Sequence, residues 1–399
     1  MAFLDPPSRP FFVLCLEVEV EVDLEADPTR GTRSGRKIHH PSTIIMEVVM
    51  GGRPKNLRVV GRNQALPHPY SYPRARAQGG PKQRLSLRRT PCRMLGVVVT
   101  GSTKGVGLAL AREFLKTGDD SVVICSRNQE QVDKAVKLLL QENPNLSSQG
   151  RNRVGGVACD VSKAKDVVNL REYASEFLGH VDIWVNNAGT NAYQFKPLIE
   201  TGSEDLQEIV ETNTLGLMFC MKEAINLMRS QDPGRTGHVF NMDGAGTSGS
   251  ATPRFAAYGA TKRAITQLNK SLQAELAMLE IDNVVLHMLS PGMVTTDLLM
   301  AGSDTKIAKF MINALAETPE EVAAYLVPRV RQVVLEGEGG GEGGGEAAEA
   351  GAADRLVVLG QKVVGGKSSY IKYLTLPKAF AQIALKAVFG LRNDRWVKE

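Results

Sequence analysis

Hydrophobic residues along this chain fall into two alternating spacings. Short stretches that are apolar almost throughout, at 96–100, 121–125, 154–158, 181–185, 237–241 and 284–289, read as strands buried on both faces. Between them apolar positions recur every three or four residues. Leu108, Leu110, Ala111, Phe114 and Leu115 mark a helix that Gly118 ends, and further helices are predicted at 128–141, at 166–178, from a cap at Ser203 to Met228, and around Tyr258. Strands that alternate with helices in this way predict an α/β fold, a Rossmann-like doubly wound parallel sheet. Beyond it, 318–325 predicts a capped helix, 370–374 a strand that would complete the sheet, and Pro377 the start of a terminal helix.

The pattern divides the chain into a single folded domain at 94–335 and appendages. Residues 1–93 read as a leader, 336–366 open on Gly, Glu and Ala with no hydrophobic pattern and read as a flexible insertion, and 367–399 carry the last strand and helix. With 43% hydrophobic and 23% charged residues in 399, the chain can bury a full core. The net charge of +5 would suggest a nucleic-acid partner, but residues 1–93 hold 16 Lys and Arg against 8 Asp and Glu, so the remainder is net −3. The basicity belongs to the leader, and no nucleic-acid partner is expected. From Val48 to Arg93 there is no acidic residue, which has the composition of an organelle transit peptide or of a disordered basic tail. Cys15, Cys92, Cys125, Cys159 and Cys220 form no C-x-x-C and no metal-like pairing with histidines, so neither a disulfide framework nor a metal site is expected. No apolar run reaches the roughly eighteen residues of a membrane span.

The chemistry lies where strands end. The first strand runs into Thr100-Gly101-Ser102-Thr103-Lys104-Gly105-Val106-Gly107 and then a helix, an arrangement in which glycines admit a pyrophosphate and the helix N-terminus offers it free N–H groups. After the second strand, Ser126-Arg127 stands where sites preferring NAD place an acid. With Lys104 it points to the 2′-phosphate of NADPH, the alternative being two ordinary surface cations. Asp160-Val161 at the end of the third strand can reach the adenine edge, and Asn186-Asn187-Ala188-Gly189 at the end of the fourth is expected to line the cofactor crevice. Pro291, Gly292 and Thr296 follow the sixth strand beside the nicotinamide position. Asn213 sits among apolar residues one element before Tyr258-Gly-Ala-Thr-Lys262. At that i, i+4 spacing the phenol and the ammonium share one helix face, and a fixed cation can bring a phenol into the acid-base range.

Taken together, Thr100-Gly-x-x-x-Gly105-x-Gly107, Asn186-Asn-Ala-Gly189, Asn213, Tyr258-x-x-x-Lys262 and Pro291-Gly292 resemble the short-chain dehydrogenase/reductases over about residues 94–335. The resemblance implies that Tyr258 is the acid-base group, that Lys262 lowers its pKa and holds the nicotinamide ribose, and that Asn213 positions a relay water. The family's substrate-orienting Ser, thirteen residues before the Tyr, is here Ala245, with Gly244 beside it. Thr247 and Ser248 are the nearest hydroxyls that could substitute. Asn241-Met-Asp-Gly-Ala-Gly246, Thr252-Pro253 and Ser290-Pro-Gly-Met-Val further resemble the chlorophyll b reductases of plants and algae, in their NYC-like branch without transmembrane segments. That likeness implies NADPH-dependent reduction of the 7-formyl group of chlorophyll b or chlorophyllide b in the chloroplast, at the stromal face of the thylakoid. It also implies light-harvesting complexes and a related membrane-bound reductase as partners, in a homo- or hetero-oligomer. Another hydrophobic carbonyl as substrate, or a nucleotide-binding subunit with little turnover, remain as alternatives. In the terminal helix Lys378, Gln382 and Lys386 form one polar stripe amid Ala379, Phe380, Ile383, Leu385, Val388 and Phe389, followed by Arg392, Arg395, Trp396 and Lys398. This composition suits either peripheral contact with an anionic membrane or burial in the protein.

Overall fold

The computed structural model describes residues 93–117, 120–143, 153–232, 234–301, 304–336 and 368–398. All of these lie in one compact unit, Ser86–Glu399. The leader and the 336–366 insertion, apart from Arg93 and the helical end Glu336, fall outside the described residues, as does Gly118.

Seven parallel strands form one sheet in the order β3-β2-β1-β4-β5-β6-β7: β1 (Gly96–Val99), β2 (Ser121–Ser126), β3 (Val154–Ala158), β4 (Ile183–Asn186), β5 (Gly237–Met242), β6 (Val284–Ser290) and β7 (Tyr370–Lys372). The apolar runs are buried on both faces because helices cover both. On one side α1 (Gly105–Thr117), α2 (Gln129–Glu142) and α9 (Pro319–Glu336) pack Phe114, Leu139 and Leu326 against Val97, Val99 and Ile124. On the other, α3 (Ala164–Leu178), α5 (Leu217–Arg229) and α6 (Ala256–Met278) pack Leu170, Met221 and Ile265 against Val98, Trp184 and Leu286. Strand order reverses between β1 and β4, so the crevice for a ligand opens at their carboxyl ends.

Two buried carboxylates fix the opposite edge of the sheet. Asp182, just before β4, accepts from Gly96 N at 2.8 Å and pairs with Arg93 and Arg235, and Asp120, just before β2, pairs with Arg331 of α9. Breaking either would leave an uncompensated buried charge, a cost of about 3–5 kcal/mol. The fold thus concentrates its fixed ion pairs away from the crevice.

Local expectations were met unevenly. Thr318 and Glu321 form the expected capping box, each side chain bonding the other's main-chain N–H at 3.1 Å. Ser203 is the first residue of α4 (Ser203–Val210) rather than its cap; Gly202 holds that position without a side-chain bond. The single helix expected from Ser203 to Met228 is interrupted by a π-helical segment, Glu211–Gly216, before α5 begins. The predicted last strand does complete the sheet, parallel to β6, and is three residues long.

The terminal helix α10 (Leu376–Phe389) does not turn its apolar face into the protein, one of the two arrangements its composition suits. Its polar stripe faces inward: Gln382 and Lys386 are buried, Gln382 Nε2 donates to Glu317 at 3.0 Å, and Lys378 Nζ lies 3.5 Å over the Tyr373 ring. The reason is Glu317, a carboxylate only 5% exposed that also collects Arg392 at 2.9 Å and Arg395 at 2.8 Å. Burial pushes its pKa upward, but the two guanidiniums outweigh that and hold the acid below its ordinary value. Arg392, Arg395 and Trp396, whose indole donates to Ala316 O at 2.9 Å, are therefore committed to the protein rather than to a membrane surface. Leu376, Phe380, Leu385 and Val388 face solvent, 41–75% exposed. No helix among the described residues is long and apolar enough to cross a membrane.

Candidate active site

The glycine turn between β1 and α1 is shaped for close approach. Gly101 and Gly105 have φ of 61° and 58°, conformations that L side chains rarely adopt, and a Cβ on Gly107 would lie 2.5 Å from Gly101 O. Asn187 braces this turn, its side-chain amide donating to Thr100 O and Gly101 O at 3.0 Å each. Thr100 Oγ1 in turn accepts from Asn187 N and Ala188 N, so β1 and β4 hold one another at the switch point. Ser102 points inward instead, donating to Val99 O and accepting from Cys125 N, which couples the turn to β2. Thr103 and Val106 lie half-buried in the turn and the first turn of α1. A Cβ at Gly105 would reach Thr296 Cγ2 at 3.3 Å, so the loop after β6 closes on the same turn. These glycines form a cradle that side chains would fill, with the N-terminus of α1 facing it, and a dinucleotide pyrophosphate fits there.

The two cations expected to read the 2′-phosphate are each paired with a different carboxylate. Lys104 donates to Asp297 at 2.8 Å and lies 5.2 Å over the Tyr193 ring, while Arg127, beyond the end of β2, pairs with Glu208 at 3.3 Å. Both pairs are exposed, and such pairs are worth about 0–1 kcal/mol, so a phosphate can displace either carboxylate. Ser126 is half-buried, with its hydroxyl 3.4 Å from Asn128 O. Asp160 spends Oδ1 on Ser162 N and Oγ at the start of α3, and Val161 is buried with its backbone against Gly216.

On the substrate side, α6 carries Tyr258 and Lys262 on one face, as their spacing required. Lys262 is 5% exposed; its Nζ donates to Met242 O at 3.1 Å and stands 5.6 Å from the Tyr258 ring centroid. Burial pulls its pKa down to about 8, opposed by the negative charge of Asp243. The phenol of Tyr258 is pushed above its ordinary value, first by burial and then by the same Asp243. The downward pull that the motif implied for Lys262 on Tyr258 is not what this geometry produces, because the ammonium points at a carbonyl rather than at the phenol oxygen. Gly189, at the end of the Asn186-Asn187-Ala188-Gly189 turn, would place a Cβ 3.3 Å from Asn213 Oδ1 and 3.7 Å from Lys262 Nζ. Asn213 sits in the π-helical segment with both amide hydrogens in use, toward Thr190 O at 2.7 Å and Thr261 Oγ1 at 3.2 Å, and its Oδ1 accepts from Thr190 N.

The hydroxyl missing from the sequence is missing from the site as well. Gly244, and not Ala245, faces the phenol: a Cβ there would lie 2.4 Å from Tyr258 Oη. Thr247 is buried with its hydroxyl donating to Gly244 O at 2.8 Å and accepting from Gly244 N at 3.1 Å, so it shapes the loop. Ser248 bonds Ser250 on the exposed side. Pro291 is half-buried after β6, and Gly292 lies against the chain that follows β7, where a Cβ on it would meet Leu374 at 2.7 Å.

Three features escaped the reading of the sequence: Asp243, Tyr370 and the pocket wall. Asp243 is 8% exposed and its carboxylate accepts a short hydrogen bond from the Tyr370 hydroxyl, a residue 127 positions away. Its presence inside the loop motif was visible, but its partner was not. Next to Tyr258 opens a shallow pocket lined by Asn191, Leu198, Ile209, Arg254 and Phe255 among others. Tyr193, Leu198 and Ile199 expose apolar surface on the same stretch of chain, with Ile199 94% exposed.

Comparison with known proteins agrees with this construction. The sequence profile of the short chain dehydrogenase family matches residues 96–306. A chloroplastic chlorophyll(ide) b reductase NOL of Arabidopsis thaliana is 50% identical over 317 residues, covering 79% of this chain and 80% of its own. The probable chlorophyll(ide) b reductase NYC1 of the same plant is 47% identical over 252 residues, 61% of this chain and 49% of its own. Among solved structures, an actinorhodin polyketide ketoreductase with NADPH superposes with a TM-score of 0.50 at 26% identity, covering 61% of this chain and 90% of that one.

Proposed function

The chain belongs to the short chain dehydrogenase family of oxidoreductases, and from that premise we propose that it reduces the 7-formyl group of chlorophyll b or chlorophyllide b to a hydroxymethyl group at the expense of NADPH. The observation that carries the reaction class is the pair of half-buried Tyr258 and buried Lys262 beside the end of β4. A nicotinamide dinucleotide bound on the glycine turn supplies the hydride. Tyr258, whose environment keeps the phenol protonated, donates the proton to the alkoxide that forms at the aldehyde carbon. Lys262 stands where it can meet a ribose hydroxyl and make good the proton from solvent, and Asn213 holds Thr190 and the end of β4 in place.

The substrate reading rests on the named activity of the relatives at 50% identity and on the form of the pocket. Tyr193, Leu198 and Ile199 offer exposed apolar surface beside Tyr258 on which a large flat molecule can lie. Lys104 and Arg127 support NADPH over NADH. The outward apolar face of α10 supports peripheral contact with a thylakoid surface, and the chloroplastic relatives support a stromal location. Association with light-harvesting complexes, a related membrane-bound reductase or a second copy rests on the likeness alone. Incubating the purified protein with NADPH and chlorophyllide b, and following pigment absorbance, tests the proposal. No 7-hydroxymethyl product, with another hydrophobic aldehyde reduced instead, would retain the enzyme and discard the pigment. A second reading, a nucleotide-binding subunit with low turnover, is favoured by Gly244, which offers no hydroxyl to the carbonyl. It predicts NADPH binding without reduction of any aldehyde.

A further inference from the structure

The pocket beside Tyr258 carries a guanidinium on an aromatic floor. Arg254 lies 3.9 Å from the ring centroid of Phe195, that ring meets Phe255 at 4.6 Å, and Phe255 stands edge-on to Tyr258 at 5.8 Å. Arg254 and Tyr258 therefore line one pocket and are linked through a run of rings. Lys196, exposed on the loop after β4, brings a second cation to the same wall. The backbone holds Arg254 at a φ of 66°, a left-handed conformation in which a non-glycine residue is uncommon and worth a reason.

The fork of Arg254 is already set for an anion. Nη2 donates to Phe195 O at 2.9 Å, which fixes the plane of the guanidinium, and Nη1 and Nη2 hold the two oxygens of Asp304 at 3.1 and 2.6 Å. A carboxylate thus sits on the pocket in the bidentate arrangement that arginine recognises best. It is weakly held, because the Asp304 side chain is 53% exposed and that of Arg254 32%, and ion pairs in water stabilise little. A second carboxylate, carried on an apolar body that covers Phe195 and Leu198, would release Asp304 to solvent at small cost and keep water off the new pair.

Resting on the reading of the pigment as substrate, we propose that Arg254 is a specificity residue: it takes the substrate's own carboxylate in place of Asp304, so that the free-acid pigment is preferred over its ester. Chlorophyllide b and chlorophyll b present the same formyl group on the same ring system and differ at one carboxyl, ionised in the first and esterified in the second. That carboxyl and the formyl group sit on opposite rings of the macrocycle, so a pigment offering one to Tyr258 presents the other across the aromatic run to Arg254. The apolar surface of Tyr193, Leu198 and Ile199 serves acid and ester alike, whereas the guanidinium serves the acid alone.

The test is kcat/KM for NADPH-dependent reduction of chlorophyllide b and of its methyl ester, in one detergent, by wild type, Arg254→Gln and Asp304→Asn. The methyl ester removes the charge without adding a long chain, which keeps solubility out of the comparison. Wild type should favour the acid by about tenfold or more, as one charge-assisted contact implies. Arg254→Gln should lose most of that preference, the acid falling far more than the ester, and Asp304→Asn should raise it by about twofold or more by removing the competing carboxylate. The Arg254–Asp304 pair also ties the loop after β5 to the chain that follows β6, and a purely structural role would lower both substrates equally. That result overturns the inference, as does a wild type that treats acid and ester alike or a preference that does not rise in Asp304→Asn. If neither pigment is reduced, the pigment reading fails and this inference falls with it; if both are reduced with equal efficiency, the inference falls alone. Should Arg254→Gln not fold, the wild-type preference and its rise in Asp304→Asn decide the question.

Discussion

Replacing Lys262 by Met should make this protein more stable at neutral pH while removing its turnover. The ammonium is 5% exposed, and its pKa is drawn from 10.5 to about 8 mainly by burial. At about 1.4 kcal/mol per unit, keeping this lysine charged inside the fold costs roughly 3 kcal/mol. The sign follows from proton binding. Below pH 8 both folded and unfolded chains hold the proton, and the full cost is present. Between about 8 and 10.5 the unfolded chain binds more protons than the folded one, so this group makes stability rise with pH. Methionine fills a similar volume without charge but gives up the bond to Met242 O, a loss of about 1–3 kcal/mol that does not vary with pH. The variant should therefore lead by about 1 kcal/mol at pH 7, and that lead should decline by roughly 3 kcal/mol in all by pH 10.5. Denaturant unfolding of both proteins at pH 7, 8.5 and 10 reads this directly as a difference in midpoints at equal slope. A difference independent of pH would refute the argument, because it would mean that Lys262 titrates in the folded protein as it does in water.

Removing Arg127 (Arg127→Ala) should weaken NADPH by about tenfold or more and NADH little, since a charge-assisted contact is worth about 1.5–3 kcal/mol, whereas Asp297→Asn should tighten NADPH by releasing Lys104; calorimetric titration of both cofactors checks the pair of changes. Gly244→Ser should not restore a helping hydroxyl but lower turnover, because its Cβ would fall 2.4 Å from Tyr258 Oη; a rise in kcat would show that the loop can move aside. Glu317→Gln should lower the melting temperature at pH 7 by leaving Arg392 and Arg395 unpaired, and the gap to wild type should narrow as pH falls through the depressed pKa of Glu317, where the native carboxylate loses its own charge. Phe380→Ser with Val388→Ser should abolish co-sedimentation with anionic liposomes and leave melting unchanged, both side chains being at least 50% exposed; undiminished binding would acquit this face of α10.

The sequence by itself determined the strands, the order of helices between them and the positions at which strand ends carry chemistry. These are local matters: an apolar run of four to six residues, the glycines at 101, 105 and 107, and the four-residue spacing of Tyr258 and Lys262 each act within a turn or two of chain. Tertiary structure decided what depends on neighbours distant along the chain. Which way α10 turns was set by Glu317, some sixty residues earlier, whose buried charge drew Gln382, Arg392 and Arg395 inward and left the apolar face outside. The hydroxyl of Thr247 is engaged by the backbone of Gly244 as donor and acceptor at once, a partner set by the shape of the loop. Lys104 and Arg127, matched by motif, are each paired with a carboxylate distant in sequence, Asp297 and Glu208. The partner of buried Asp243 was decided only when β7 docked beside β6 and brought Tyr370 to it. Local periodicity fixes which faces must be buried, but a buried polar group is satisfied by whatever partner the packed fold presents, and that partner is not written at any fixed spacing.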